Sequence, residues 1–273
     1  MTQLIKPQKP WTDKEIKNFK QDWKILTKSQ LIQKYNRGYE SLKSAARRFK
    51  VKKINEFTNH NKLKILLNNS NESWYWLGFI VADGYLSQKG ELKITLSNLD
   101  NTHLFKLSQY LKCNLLKDKY SHITCKDAIN GIKLIKQFKI KEKKTYYPCD
   151  LESIKNLKQF FCFLTGFIDG DGHLAISKQG KPVMIRVQCY KTWIDNFYLF
   201  QKFLQKLNIE SKVYIDTQNY ARFCIYKQKS IIKLYELIQY LNIPYMERKW
   251  DQYKGYTINL SEDDKLLLNE SVE

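Results

Sequence analysis

An internal repeat constrains the fold of this chain more strongly than any other feature of its sequence. Residues 76–84 read WLGFIVADG and residues 164–172 read LTGFIDGDG, and the two segments share five identical positions at a constant spacing of 88 residues. Each copy is an apolar run that ends in Asp-Gly. Because a repeated segment marks a repeated structural unit, the sequence predicts two equivalent halves.

The chain carries a large excess of positive charge. Its 273 residues include 47 Lys and Arg against 27 Asp and Glu, a formal net charge of +20. Such a charge favours a polyanionic partner, nucleic acid in the first place and an anionic membrane surface in the second. The sequence has neither an uncharged apolar run of about 18 residues nor the apolar core of a signal peptide. We therefore expect an intracellular protein without a membrane span, in an organelle or in a bacterial or phage cytoplasm.

The six cysteines indicate neither disulfides nor a zinc site. They occur singly, with no C-x-x-C pair and no nearby histidine cluster at zinc spacing. Since 43% of the residues are hydrophobic, the chain can form packed cores without cross-links. We expect free thiols that are buried or partly buried.

Apolar periodicity and turn residues divide the chain into five segments. Each copy of the repeat is followed by strand-like runs, a helical segment, further strand-like runs and another helix, which predicts an α-β-β-α-β-β-α unit for each half. The predicted fold class is α+β, with two pseudo-symmetric halves after a small helical module. The predicted boundaries are 1–50 for a helix-turn-helix module, 51–71 for a basic linker, 72–155 and 156–260 for the two halves, and 261–273 for an acidic tail.

Three short helices are predicted within residues 11–50. Thr12 or Asp13 can cap the first helix, and Gly38 helps to break the chain before the third. One face of the third helix is apolar and the other is short, polar and basic. The segment resembles a Myb-like helix-turn-helix module, whose third helix enters the DNA major groove; a small three-helix protein-interaction module is the alternative. The DNA contacts implied by the resemblance are Ser41, Lys43, Ser44, Arg47 and Arg48.

The two repeats each end in an acid that needs a nearby positive charge. Asp83 and Asp171 would lie at helix C-termini, where the helix dipole disfavours a carboxylate by about 0.3 to 1 kcal/mol. A divalent cation would offset that cost. The glycines that follow, Gly84 and Gly172, fit the left-handed position just beyond a helix end.

Each repeat also carries a stripe of small residues. Two such helices can approach closely and pack side by side around an approximate two-fold axis, which would bring the two final acids together. Adjacent carboxylates repel each other unless cations lie between them, and Mg²⁺ is favoured because it prefers carboxylate, phosphate and water oxygens. The small residues are Gly78 and Ala82 in the first repeat and Gly166 and Gly170 in the second.

Together, the two motifs resemble the paired signature of LAGLIDADG homing endonucleases of the single-chain, two-motif type. The likeness extends from near Glu72 to near Ile258, with Val81 at a position where the family often has an acid. It implies motif helices at the interface between the halves, and two curved antiparallel sheets that form a saddle on the DNA major groove. The implied metal site consists of Asp83, Asp171 and the preceding Ala82 and Gly170, with Mg²⁺ as cofactor and Ca²⁺ able to bind without supporting cleavage.

The resemblance implies further catalytic residues. Lys144, in KEKKTYYP, and Lys249, in MERKWDQY, correspond to a lysine that polarises the attacking water or the scissile phosphate. Gln188 corresponds to a glutamine that positions water, and its counterpart in the first half is Ser97.

Base readout is assigned to the strand segments that follow each motif. Alternation along a strand sends every second side chain toward the groove, but the sequence leaves the register open. The assigned residues are Ser87, Lys89, Lys93, Thr95 and Ser97 in the first half and Ser177, Lys178, Lys181, Arg186 and Gln188 in the second.

These features predict a monomeric, metal-dependent endonuclease that cuts both strands of one long, asymmetric DNA site. An RNA maturase that assists splicing of its host intron is the alternative, since the basic surface also suits intron RNA. A non-catalytic regulator that binds DNA through the N-terminal module is a third hypothesis. The presence of both acids favours cleavage, because a relic is expected to have lost at least one.

Overall fold

The chain divides into two compact units, Met1–Asn59 and His60–Glu273. A computed structural model describes residues 10–25, 28–51 and 61–268 of them. The larger unit contains two four-stranded antiparallel sheets among helices, which confirms the predicted α+β class. The five segment boundaries inferred from the sequence stay predictions.

The N-terminal unit contains the three predicted helices. Its first helix is capped by Thr12, whose hydroxyl accepts from the Glu15 amide (3.2 Å) while the Thr12 amide donates to the Glu15 carboxylate (2.8 Å). Asn36, with φ at 48°, turns the chain between the second and third helices. A core of Phe19, Trp23, Leu31, Leu42, Ala45 and Ala46 joins the three. The helices are α1 (Asp13–Ile25), α2 (Lys28–Tyr35) and α3 (Tyr39–Arg48).

The larger unit consists of the two predicted α-β-β-α-β-β-α halves. The first comprises α4 (Asn71–Asp83), β1 (Tyr85–Leu86), β2 (Glu91–Leu96), α5 (Asn101–Tyr110), β3 (Leu115–Lys117), β4 (Ser121–Lys126) and α6 (Ala128–Gln137). The second comprises α7 (Leu157–Asp171), β5 (Gly172–Ile176), β6 (Pro182–Tyr190), α8 (Ile194–Lys206), β7 (Lys212–Ile215), β8 (Tyr220–Ile225) and α9 (Gln228–Tyr240). The strand orders, β1-β2-β4-β3 and β5-β6-β8-β7, are equivalent.

Helices α4 and α7 contain the two repeats and lie together in the core. Both are apolar around most of their circumference, as expected of helices buried on all sides. Ten consecutive residues of α4, from Ser73 to Ala82, are buried, and so is nearly all of α7. Their burial places both helices in the interior of the larger unit.

Shorter elements flank the two halves. A 3₁₀ helix (Leu63–Leu67) precedes α4, and its first amide donates to the buried Asp127 carboxylate (2.8 Å). After α9 come α10 (Glu247–Trp250), a 3₁₀ turn (Asp251–Tyr253) and α11 (Glu262–Leu267). Asp264 of α11 is buried and pairs with Lys233 of α9 at 2.6 Å. Residues 61–71 and 261–268, parts of the predicted linker and tail, thus pack against the second unit.

All six cysteines are free and buried, which confirms the sequence-based expectation. Burial raises the pKa of Cys113 to about 11 and the pKa of Cys125 and Cys149 to about 12, so these thiols stay protonated and unreactive. Within the described residues, no helix is both long and apolar enough to cross a membrane.

Candidate active site

The two repeat helices meet backbone to backbone along their small residues. A Cβ atom added at Gly78 would lie 1.9 Å from the carbonyl oxygen of Phe163, and one added at Gly166 would lie 1.9 Å from that of Tyr75. Real Cβ atoms do not approach other atoms so closely. The predicted packing through the glycine stripes is therefore confirmed.

The close approach continues to the ends of both helices. A Cβ added at Gly170 would lie 2.3 Å from Cβ of Ala82 and 3.3 Å from the amide nitrogen of Asp83. The backbones are thus neighbours one residue before each of the two acids, Asp83 and Asp171. Asp83 is the last residue of α4 and Asp171 is the last residue of α7, so the two acids follow directly from neighbouring backbone positions.

The glycines after the two acids differ from the prediction. Gly84 has φ of −79° and Gly172 has φ of −82°, so neither is left-handed. The requirement for glycine is steric, because an added Cβ would lie 2.7 Å from the Ile80 carbonyl oxygen and 2.3 Å from that of Ile168. At both glycines the backbone turns from helix to strand directly over the last turn of the preceding helix, where a side chain has no room.

The two acids have perturbed pKa values, and one of them affects the other. Both side chains are exposed to solvent on one side, yet partial loss of hydration raises the pKa of each above its ordinary value. The negative charge of Asp171 adds to the increase in the pKa of Asp83. Two carboxylates held in this way favour a proton or a cation between them.

A lysine ammonium group caps the end of α4. Lys144 Nζ donates to the carbonyl oxygens of Val81 (2.7 Å) and Ala82. These carbonyls carry the negative end of the helix dipole. Burial lowers the pKa of Lys144, while the charges of Asp171 and Asp83 oppose the shift.

Lys249 caps the end of α7 in the same way. Its Nζ donates to the carbonyl oxygens of Ile168 (3.2 Å), Asp169 (2.5 Å), Gly170 (3.1 Å) and Gly172 (2.8 Å). Burial lowers its pKa, opposed by the charges of Asp169 and Asp83. The four predicted side chains, two acids and two lysines, thus form one pseudo-symmetric cluster.

A buried acid, Asp169, supports this cluster and was not singled out from the sequence. It is fully buried and accepts from the Tyr75 hydroxyl (2.5 Å), the Met246 amide (2.8 Å) and the Trp250 indole (2.5 Å). Burial raises its pKa to about 6, against the lowering effect of these donors. The available sequence signal was an acid inside an apolar run, at the position where the first repeat has Val81.

Alternation of buried and exposed residues settles which face of each central strand is open. In β2, Lys93 and Thr95 are exposed between buried leucine and isoleucine side chains. In β6, Gln188 is exposed and Arg186 is partly exposed, between buried neighbours. These four of the predicted readout residues therefore lie on the sheet face opposite the core.

The strand register corrects one correspondence between the halves. Lys93 pairs with Tyr85, and Arg186 pairs with His173, each two residues after a motif acid. The equivalent of Gln188 is therefore Thr95, two positions further along β2, and not Ser97. Ser97 lies beyond the strand and caps a 3₁₀ turn, Asn98–Asp100, by accepting from the Leu99 amide (3.3 Å).

The remaining predicted readout residues lie in hairpin turns or beside them. The hydroxyl of Ser87 accepts from the Glu91 amide (3.1 Å), and that of Ser177 accepts from the Lys181 amide (3.2 Å). Both serines therefore have a structural role in their turns. The lysines Lys89, Lys178 and Lys181 are exposed there.

In the N-terminal unit, the basic side of α3 borders a groove of about 570 Å³. Lys43 instead pairs with Glu40 at 3.1 Å, and Arg47 is exposed. The predicted contacts are thus divided between two sides of the helix. The groove is lined by Pro10, Trp11, Ile16, Arg37, Ser41, Ser44, Ala45, Arg48 and Phe49.

The protein alone offers few ligands to a metal at the paired acids. Across the described ranges, no group of three or more His, Cys, Asp or Glu side chains could hold a metal ion. Mg²⁺ is commonly bound by one or two carboxylates, with water and substrate phosphates completing its shell. Asp83 and Asp171 fit that pattern. The carbonyl oxygens of Ala82 and Gly170 accept hydrogen bonds from the two lysines.

The two α-β-β-α-β-β-α halves meet through the pair of helices that contain the repeats. Residues 164–266 match the family model described as LAGLIDADG endonuclease, which confirms the sequence resemblance for the second half. A search of curated proteins found no match.

The solved structures that this chain matches include several homing endonucleases. A mutant of I-SmaMI is 13% identical with a TM-score of 0.48, covering 66% of this chain and 89% of that chain. The homing endonuclease I-WcaI bound to its DNA recognition sequence is 15% identical with a TM-score of 0.48, covering 67% and 87%. The N-terminal LAGLIDADG domain of DUF199/WhiA is 17% identical with a TM-score of 0.43, covering 77% and 97%.

Proposed function

We propose that this chain is a divalent-metal-dependent endonuclease that cuts both strands of a specific DNA site. The observation that carries the proposal is the adjacency of Asp83 and Asp171 at the ends of two helices in backbone contact. A fold without a catalytic role would gain nothing from two like charges placed together. Burial raises the pKa of both acids, and the charge of Asp171 adds to the increase for Asp83, a perturbation that is common at functional sites.

Asp83 and Asp171 would hold the metal, with Mg²⁺ as the proposed ion. The chemistry such ions supply when bound is stabilisation of charge on the attacking and leaving oxygens of phosphodiester hydrolysis. Lys144 and Lys249 place two ammonium groups beside the acids, where they would stabilise negative charge that develops on a phosphate. Gln188, exposed on β6, would orient water through its side-chain amide.

The open faces of the two sheets would read the DNA. Arg186 and Gln188 are side chains that hydrogen-bond guanine and adenine edges in the major groove. Lys93 and Thr95 occupy the equivalent positions of the first half. The two halves thus present different chemistry, so the proposed site is asymmetric, and one chain is sufficient to cover it as a monomer.

The N-terminal unit would bind DNA that flanks the cleavage site. Its third helix carries Arg47 and Arg48, both exposed, as expected for contacts with phosphates or bases. A tethered second module raises the effective concentration of the first on the same molecule. This role, and its likeness to a Myb module, are parts of the proposal.

Selection of cut sites from a randomised duplex library tests the proposed function. We expect Mg²⁺ to yield one long, asymmetric sequence cut in both strands, and Ca²⁺ or a chelator to yield bound but uncut DNA. Failure of the protein to cut any library member in Mg²⁺ or Mn²⁺ would contradict the proposal. Binding to an intron RNA in preference to DNA, with stimulated splicing, would favour the maturase hypothesis instead.

DNA binding is expected to weaken steeply with salt. A net charge of +20 favours extensive phosphate contact, and about 6 to 10 such contacts lower affinity by roughly 10³ to 10⁵ between 50 and 200 mM salt. Fluorescence anisotropy of a labelled duplex in Ca²⁺ buffer would measure this dependence. An affinity that stays constant over that range would contradict a nucleic-acid partner.

A further inference from the structure

The segment that carries Lys249 is attached to the opposite half of the protein. In α10, Arg248 donates to both carboxylate oxygens of Asp100, at 2.6 and 3.0 Å. Its neighbour Glu247 pairs with Lys106 of α5. Asp100 and Lys106 both belong to the first half, so two side chains next to Lys249 bridge the boundary between the halves.

The segment that carries Lys144 is attached in the reverse direction. The carbonyl oxygen of Lys144 accepts from the Trp193 indole (3.0 Å), and that of Tyr146 accepts from the Thr192 hydroxyl (2.7 Å). Both donors lie in the 3₁₀ turn Lys191–Trp193, which directly precedes α8. The equivalent turn of the first half, Asn98–Asp100, directly precedes α5 and contains Asp100. Each lysine segment is therefore fixed by the same turn of the other half.

The two attachments differ chemically. The indole of Trp193 holds the backbone of Lys144 directly, whereas Arg248 and Asp100 form an ion pair one residue away from Lys249. The Lys249 segment has a second attachment, because the buried Asp169 accepts from the amide of Met246 and the indole of Trp250. In the first half, the position of Asp169 is occupied by Val81, which cannot make such bonds.

We propose that Asp169 and the Arg248–Asp100 ion pair are positioning residues for the Lys249 segment and not for the Lys144 segment, so that their loss slows cleavage of one DNA strand only. This inference rests on the proposed endonuclease function. Asp169 accepts hydrogen bonds from Met246 and Trp250 at the two ends of α10, and Asp100 pairs with Arg248 between them. The ammonium group between these contacts lies within 3.2 Å of four carbonyl oxygens at the end of α7, an arrangement that a small shift of the turn would break.

Strand-specific nicking of a supercoiled plasmid carrying the selected site tests the proposal. We expect Arg248→Ala and Asp169→Asn to accumulate open circles and to slow one strand by roughly 10- to 100-fold, the usual cost of losing a supporting contact. End-labelled substrates should show Lys249→Met slowing that same strand and Lys144→Met slowing the other. The charge-reversed pair Asp100→Arg with Arg248→Asp should restore double-strand cutting.

Lys254→Ala is the matched control, since it removes an exposed ion pair with Asp251 (2.8 Å) just after α10 without touching the first half. It should cut both strands at the parental ratio. Equal slowing of both strands in Arg248→Ala, or slowing of the strand that depends on Lys144, would overturn the proposal. A parental protein that cuts no DNA would contradict the endonuclease function instead.

Hydrogen exchange provides a readout that does not need cleavage. Residues 246–250 should exchange faster in Arg248→Ala than in the parent, whereas residues 143–149 should be unchanged. Unaltered exchange in both segments would show that the ion pair does not fix the turn, whatever the protein does to DNA.

Discussion

Replacing both Asp83 and Asp171 by asparagine is expected to reduce DNA cleavage to background while DNA binding persists. Asparagine keeps the size of the side chain but removes the charges that would hold the divalent ions. It also removes two negative charges that would lie near phosphates, so affinity in Ca²⁺-free buffer should be unchanged or slightly higher. Plasmid cleavage in Mg²⁺ and anisotropy with the selected duplex measure the two effects.

A control variant distinguishes loss of the proposed metal ligands from the accompanying change in net charge. Asp195→Asn with Asp263→Asn changes the net charge by the same amount at two exposed acids and should cut at the parental rate. Cleavage that survives in the Asp83 and Asp171 variant would show that another group holds the metal, and would remove the basis of the proposed mechanism.

The same double variant should be more stable than the parent in the absence of metal. Both acids have raised pKa values when folded, so ionisation of each acid destabilises the fold. That penalty is complete above the raised pKa and disappears as pH falls through it. The gain in melting temperature should therefore be largest near neutral pH and shrink in acid, and Mg²⁺ should raise the melting temperature of the parent only.

Adding one methyl group at the helix interface is expected to destabilise the larger unit severely. In Gly166→Ala the new Cβ would lie 1.9 Å from the carbonyl oxygen of Tyr75, so the helices must move apart by more than 1 Å to reach the ordinary contact of about 3.4 Å. Alanine favours a helix over glycine by only about 1 kcal/mol. Overpacking costs about 1 to 3 kcal/mol or more, and a shift of two backbones belongs at the upper end.

Thermal unfolding monitored by circular dichroism would measure this loss. A net loss of about 2 kcal/mol lowers the melting temperature of a unit of this size by roughly 4 to 8 °C. Gly38→Ala is the matched control, because an added Cβ there meets no atom within 4 Å. Parental stability of Gly166→Ala would mean that α4 and α7 are not in backbone contact.

The repeat made the central part of the fold predictable from sequence. Two copies in register predicted the paired helices, the small-residue stripes and the convergence of Asp83 and Asp171. Charge predicted a nucleic-acid partner, and strand alternation predicted that every second side chain of the strands after each repeat lies on one face. These features follow from local pattern, and local pattern is visible in one sequence.

The features that the sequence did not predict depend on contacts between residues that are distant in the chain. The repeats are offset by 88 positions but the central strands by 93, because the β5–β6 hairpin is longer than the β1–β2 hairpin. The sequence does not show where these extra residues lie, so Gln188 was paired with Ser97 instead of Thr95. The bonds of Asp169 cannot be inferred from a position that holds valine in the first repeat. The conformation of Gly84 depends on the path of the chain after the helix, which composition does not specify.

The crossed attachments of the two lysine segments limit how hybrid proteins could be built from the two halves. A foreign first half joined at residue 156 would bring Lys249 together with a foreign counterpart of Asp100, whereas a foreign second half would leave Lys144 without its partner Trp193. The unit that can be transplanted intact is therefore a half plus the 3₁₀ turn that holds its lysine segment, taken from the other half of the donor protein. A chimaera that grafts this turn as well should keep balanced cutting, whereas a simple fusion of halves should not.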